Sequence, residues 1–155
     1  NNLGDFRVPL GQVEVLREGK DLTMLSYGST LHLCQEACGR LADLGVAVEL
    51  IDAQTLLPFD LEGATAQSVA KTNRLVVVDE DVPGGAAAYL LDAVLKGQGA
   101  WNMLDGQAQT LTAKPHLPAY GSDGDYFSKP SVDDIVETAY NVMREVDPTN
   151  HPLLR

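Results

Sequence analysis

The chain has 155 residues, of which 45% are hydrophobic and 21% charged. That is one globular domain's worth of sequence, with enough apolar material for a core. Asp and Glu number 22 against 11 Lys and Arg, a formal net charge of −11, which excludes nucleic acid as an electrostatic partner. No run is apolar and long enough for a membrane-spanning helix.

The chain begins Asn1-Asn2-Leu3-Gly4-Asp5, without Met and without a signal-peptide pattern, so residues 1–7 read as a linker from a preceding domain. Residues 13–16 read as a short strand, closed by the turn at 18–21. Residues 22–27 form a second strand, stopped by Gly28. Ser29 or Thr30 can cap the helix that follows. In it Leu31, Cys34, Cys38 and Leu41 recur at helical spacing. Gly45 supplies the left-handed residue that ends such helices, and residues 46–51 read as a buried strand. Leu57-Pro58-Phe59-Asp60 signals the next helix, with Asp60 as its cap and an end near Thr72.

Residues 75–78 are Leu-Val-Val-Val, a β-branched run covered on both faces. It ends in Asp79-Glu80-Asp81. After Pro83-Gly84-Gly85 comes a segment, 86–95, that is apolar nearly all round and reads as a buried helix. Residues 109–112 are a final strand. Ser131 caps the last helix, with Asp134 in a capping-box position. Val132, Ile135, Val136, Ala139, Val142, Met143 and Val146 form its apolar stripe. This alternation predicts an α/β fold, a three-layer α/β/α sandwich. Its sheet has about five strands. The sheet is mostly parallel, with the first strand antiparallel at an edge.

Chemistry-bearing patterns are sparse. The three histidines, His32, His116 and His151, have no partner at ligand spacing, so no metal site is expected. Cys34 and Cys38 are four apart on one helix face, poorly placed for a disulfide. They read as buried thiols of a reducing, cytoplasmic compartment. No nucleophile elbow, phosphate loop or dinucleotide fingerprint is present. Asp123 and Asp125 miss the oxygen and glycine positions of a calcium loop, so the segment 121–125 reads as a structured turn. Asp79, Glu80 and Asp81 stand at the carboxyl end of a central strand, where open α/β sheets present their functional loops. They read either as a solvated acidic surface or as a contact for a basic partner.

Three runs in order become familiar: DLTMLSYG at 21–28, VELIDAQTLLPFD at 48–60, and SVAKTNRLVVVDE at 68–80 leading to Gly84-Gly85. With VPLG at 8–11, Val15 and Glu18-Gly19, they resemble the C-terminal transketolase-type domain of the β subunit of thiamine-diphosphate-dependent 2-oxo acid dehydrogenases, the pyruvate and branched-chain type. The resemblance covers residues 8–146 and leaves 147–155 as a tail. It implies the same five-stranded three-layer fold.

The resemblance also implies a non-catalytic assembly and regulatory domain. In the parent enzyme thiamine diphosphate and Mg²⁺ sit between two other domains, so no cofactor and no catalytic residue is expected here. The implied partners are those thiamine-binding domains, a second copy through the parent, and the basic subunit-binding domain of a lipoyl acyltransferase. A domain at −11 suits a basic partner. Candidate contacts are Asp79, Glu80 and Asp81, together with His116, Tyr120, Asp123, Asp125 and Tyr126 in the loop before the last helix. Gln54 stands where many members carry Arg, and the segment 116–129 departs from the usual pattern. These departures resemble a variant in which α and β parts are fused. Two alternatives remain at this level. One is the C-terminal domain of a transketolase or deoxyxylulose-phosphate synthase. The other is a free-standing flavodoxin-like module, for which Tyr27-Gly28-Ser29-Thr30 is a thin phosphate loop.

Overall fold

The structure is a computed structural model, and it describes residue 4 and residues 7–117, 120–121 and 124–153. Five strands form one sheet in the order β1-β3-β2-β4-β5. They are β1 (Glu14–Arg17), β2 (Leu22–Ser26), β3 (Val48–Asp52), β4 (Leu75–Val78) and β5 (Gln109–Leu111). β2 pairs in parallel with β3 and β4, and β4 with β5. β1 is the antiparallel edge strand. Its partner is β3, although the short β1–β2 link suggests a hairpin. That link instead crosses the amino end of β3, where the Lys20 and Asp21 amides both donate to the Ala47 carbonyl at 3.0 Å.

Period-2 alternation sends neighbouring strand residues to opposite faces. Leu22, Met24, Val48, Leu50, Val76 and Val78 pack under α1 (Thr30–Asp43) and α5 (Val132–Val146). Leu25, Ile51, Leu75 and Val77 pack under α2 (Ala64–Thr72) and α3 (Ala86–Asp92). α3 continues as one π-helical turn, Ala93–Gly97, and a short 3-10 helix, Ala100–Met103, follows. The three layers and the mostly parallel sheet are those expected from the sequence.

The helix ends depart in detail. The Ser131–Asp134 capping box is present in both directions. Ser29 makes no side-chain cap on α1. Asp60 lies one turn ahead of α2, yet its buried carboxylate accepts from the Ala64 amide at 3.0 Å and the Thr65 amide at 2.7 Å. α3 buries one face alone, through Ala87 and Leu90, while Ala88 and Tyr89 are exposed. A nearly all-apolar segment therefore leaves an uncovered outer face. Cys34 and Cys38 are free and fully buried. Burial pushes their thiols up to about 12 and about 11, so both are inert at neutral pH.

The amino end of the sheet holds one buried charge. Glu49 is 3% exposed. It pairs with Lys71 of α2 and accepts from the Gly19 amide at 3.2 Å. Beside it the Thr23 hydroxyl bonds Ser68 and Thr72, each at 2.7 Å. Burial pushes the Glu49 carboxyl up, but hydrogen bonds from Lys71, Ser68 and the Gly19 amide outweigh it and hold it below the usual range. The folded value is then below the unfolded one, so the stabilisation is complete above about pH 4.3 and lost as pH falls through the lowered value. Glu49→Gln is expected to destabilise the domain at neutral pH and to flatten the acid limb of its stability curve. Urea melts between neutral and acid pH read this out, and parallel curves for the two proteins refute it.

Candidate interaction surface at the carboxyl end of the sheet

β2 and β4 are neighbours, but the chain leaves β2 toward β3 and returns past it to β4. The reversal puts a crevice at their carboxyl ends, the usual ligand position of such sheets. Here the chain's own side chains close it. The Ser26 hydroxyl donates to the Val78 carbonyl at 2.9 Å, and the Tyr27 hydroxyl to Asp79 Oδ1 at 2.7 Å. Asp79 also accepts from the Asp81 amide at 3.1 Å and from the Ala87 amide in the first turn of α3 at 2.8 Å. An anionic group at a helix N-terminus meets the free amides and the positive end of the dipole. Burial, the Asp79 hydrogen bond and the nearby negative charges all push the Tyr27 hydroxyl far above its ordinary range.

Asp79 is 0% exposed. It is therefore a structural residue of the β4–α3 loop and drops out of the contact surface that the sequence suggested. Glu80 and Asp81 are exposed. Gly85 lies against Asp81, where a Cβ would come within 2.6 Å of the Asp81 carboxylate. The close approach is to the end of an exposed side chain that can swing away, so it does not by itself demand glycine there.

The segment after β5 is stitched onto this end. The Ala113 amide donates to the Asp81 carbonyl at 2.9 Å, and the Lys114 amide to the Ser128 carbonyl at 2.9 Å. His116 Nε2 lies 3.1 Å from the Ser128 hydroxyl. The segment read as a turn, 121–125, runs into a short helix, α4 (Gly124–Ser128). At its end Lys129 donates to Glu80 at 3.2 Å and lies 3.7 Å from Asp125. The Ser29 hydroxyl donates to the same Glu80 oxygen at 2.9 Å. These two partners, Ser29 first, hold the Glu80 carboxyl below its usual range. Tyr120, Asp125 and Tyr126 are exposed, and Asp123 lies outside the described residues.

The structure thus brings Glu80, Asp81, His116 and Asp125 to one end, joined by Ser29, Ser128 and Lys129. Sequence reasoning noticed Tyr27 and Ser29 only as a thin phosphate loop and did not place them or Lys129 at this surface. The i,i+4 spacing of Asp125 and Lys129 is the one local signal for any of them. Their other partners are brought in by the sheet.

The residues of this crevice do not fit a diphosphate. The Asp79 and Glu80 carboxylates already fill it, and its cation, Lys129, is paired with Glu80. Among the described residues no group of three His, Cys, Asp or Glu side chains could hold a metal ion. A second surface lies on the α3 side. There a groove of 610 Å³ is lined by Leu91, Leu95, Trp101, Leu104 and Ala108, with Trp101 65% exposed. Among the described residues no helix is long and apolar enough to cross a membrane.

Known proteins give this arrangement its relatives. Residues 11–130 match the family model described as the transketolase C-terminal domain. The β subunit of acetoin:2,6-dichlorophenolindophenol oxidoreductase of Bacillus subtilis (strain 168) is 34% identical over 113 residues, covering 73% of this chain and 32% of that protein. The mitochondrial pyruvate dehydrogenase E1 component subunit β of Homo sapiens is 34% identical over 133 residues, covering 85% of this chain and 36% of that protein. The chain thus spans about a third of the length of these relatives. Among solved structures, a split-gene transketolase described as an inactive β4 tetramer matches with a TM-score of 0.68 at 21% identity, covering 92% of this chain and 43% of that one. On the family match, which covers most of its length, the chain belongs to the transketolase C-terminal domain family, and it is similar to the β subunits of pyruvate dehydrogenase and of acetoin:2,6-dichlorophenolindophenol oxidoreductase.

Proposed function

We propose that this chain is the non-catalytic C-terminal assembly domain, spanning residues 8–146, of a thiamine-diphosphate-dependent 2-oxo acid dehydrogenase. The parent enzyme decarboxylates a 2-oxo acid oxidatively and passes the acyl group to a lipoyl acyltransferase. One observation carries the reading. The crevice where such a sheet would bind a ligand is filled by Tyr27, Asp79, Ser29, Glu80 and Lys129, while apolar surface around Trp101 stays uncovered. A domain built this way contributes surfaces and no chemistry.

Thiamine diphosphate and its Mg²⁺ are then held by other domains of the parent. The Trp101 groove is suited to packing against those domains or against a second copy, since an exposed aromatic ring beside aliphatic side chains is the kind of surface a partner covers. The acidic end, with Glu80, Asp81, His116, Tyr120, Asp125 and Tyr126, suits a basic subunit-binding domain of the acyltransferase. Two inert buried thiols accord with a cytoplasmic location. In calorimetric titration with thiamine diphosphate and Mg²⁺ the chain is expected to give no binding heat, and with a 2-oxo acid to release no CO₂. Micromolar binding of the cofactor would overturn the assignment.

A further inference from the structure

Residues 147–153 follow the last helix and do not leave the domain. α5 stops at Val146 because Pro148 lacks an amide and pushes the residue before it out of the helical region. Asp147 accordingly sits at φ −137° and ψ 77°. The chain then reverses in one tight turn. The Asp147 carboxylate accepts from the Asn150 amide at 3.2 Å and from the Asn150 side chain at 2.6 Å, and the Asp147 carbonyl accepts from the His151 amide at 3.0 Å. This turn lays the tail back along α5. The His151 ring meets the Tyr140 ring edge to face at 5.8 Å. Leu153 joins Val136 and Tyr140 on the wall of a groove of 260 Å³ between α1 and α5. At a rise of 1.5 Å per residue, Val136 lies about 15 Å back from the helix end.

The tail is fastened lightly. Among the described residues every hydrogen bond of residues 148–153 goes to Asp147, and no ion pair holds the segment. Pro148, Thr149, Asn150 and Pro152 are exposed, and Leu153 is 69% exposed. One ring contact and one leucine edge therefore tie it to the helix, which places it at the low end of the local-opening scale. What lies beneath is core. Tyr140 and Val136 are 5% and 6% exposed and pack with α1 in the main apolar cluster. Lifting the tail breaks no hydrogen bond of a strand or helix, yet it uncovers an aromatic and an aliphatic side chain between two helices. The floor of the groove is apolar and its rim carries both signs, Arg40 and Arg144 with Asp133 and Glu137. Such a groove suits a short segment with no net charge. Residues 148–153 carry no Asp, Glu, Lys or Arg, and Pro152 pre-sets the backbone between the ring and the leucine, which lowers the entropy cost of seating both.

We propose that residues 147–153 are a detachable latch and that the α1–α5 groove is its receptor. His151 on Tyr140 and Leu153 beside Val136 are the two fastenings. The chain's own tail closes the groove, and a segment of the same chemistry, a ring and a leucine around a proline, enters it once the latch lifts. No residue of the acidic end or of the Trp101 groove takes part, so the latch stands whether or not the domain serves a 2-oxo acid dehydrogenase.

The probe is a fluorescein-labelled peptide with the sequence of residues 147–155, added to the full chain and read by anisotropy. On the unsubstituted chain the tethered tail holds the groove at high effective concentration, so the peptide binds weakly. The double substitution His151→Ser, Leu153→Ser removes both fastenings. It is expected to raise the affinity for the peptide roughly tenfold, the factor for a groove that the tail leaves open a tenth of the time. On that variant, peptides carrying His151→Ser or Leu153→Ser are expected to lose binding. Circular dichroism verifies that the variant keeps its fold. Equal affinity of the two proteins, no binding to the variant, or undiminished binding of the substituted peptides overturns the proposal. Loss of the fold in the variant also overturns it, because a latch lifts without unfolding the domain that carries it.

Discussion

Gly19→Ala is expected to destabilise the domain by about 3 kcal/mol, the upper end of what overpacking costs. The β1–β2 turn passes directly over the amino end of β3. A Cβ on Gly19 would fall inside the van der Waals envelope of the Val48 carbonyl carbon and the Glu49 amide nitrogen. Both are backbone atoms of a central strand, and they cannot rotate away as a side chain would. The turn is also anchored to the same place by its own bonds. Asp21 accepts from the Ala47 amide at 2.8 Å, and the Gly19 amide donates to Glu49 at 3.2 Å. Moving the turn outward to make room would break the Glu49 contact and expose a buried charge. Gly39 is the internal control. It lies in the middle of α1 with open space where a Cβ would go, so Gly39→Ala should stabilise by about 0.5–1 kcal/mol through helix propensity. Urea midpoints moving in opposite directions confirm the account. An unchanged midpoint for Gly19→Ala rejects it.

Asp79→Ala is expected to cost a similar amount, about 3 kcal/mol, because it removes a fully buried acceptor from three donors at once, one of them buried. Tyr27, the Asp81 amide and the Ala87 amide all donate to this carboxylate. Asp79→Asn keeps part of the acceptor capacity and should cost less. Tyr27 provides a readout that a general loss of packing does not. Burial, the Asp79 hydrogen bond and nearby negative charges hold its hydroxyl far above the ordinary range. In Asp79→Ala the second of these causes and part of the third disappear, so the Tyr27 phenol should ionise at lower pH, seen by absorbance titration. An unshifted titration in a folded variant would show that Tyr27 and Asp79 are not coupled in solution.

The two predictions touch opposite ends of the sheet, and they differ in how visible they were from the chain alone. The strands were legible because each is a local property. The run 75–78 is β-branched and short, and it is buried along its whole length. The last helix was legible for the same reason, since its cap and its stripe are encoded within one continuous stretch, 131–146. Asp60 was recognised as a capping residue, but its reach across residues 61–63 to the Ala64 and Thr65 amides depends on the turn's conformation. α3 was read as buried all round because its composition is apolar. The structure buries one face, leaves Ala88 and Tyr89 exposed, and sets Leu91 at the edge of the Trp101 groove. Composition reports how much apolar surface a helix has, not whether this chain covers it.

The candidate site shows the same division. The acidic run 79–81 was visible as a run, but three adjacent residues go to different environments. The pleat and the turn send Asp79 inward to cap α3, and leave Glu80 and Asp81 outside. Its partners Tyr27, Ser29 and Lys129 come from about fifty residues away in sequence. No periodicity links them.

By itself, then, the sequence determined the alternation of strands and helices, the three-layer class, the inert buried thiols and, through three motifs in order, the family. Those depend on local propensity, period and spacing, which are written within a few turns of chain. The tertiary structure alone decided that β1 pairs with β3, that Gly19 has no room for a side chain, and that the crevice at the switch point is closed by its own carboxylates. Each of these requires segments distant in sequence to meet, and that meeting is settled by sheet order and packing, not by any window of residues.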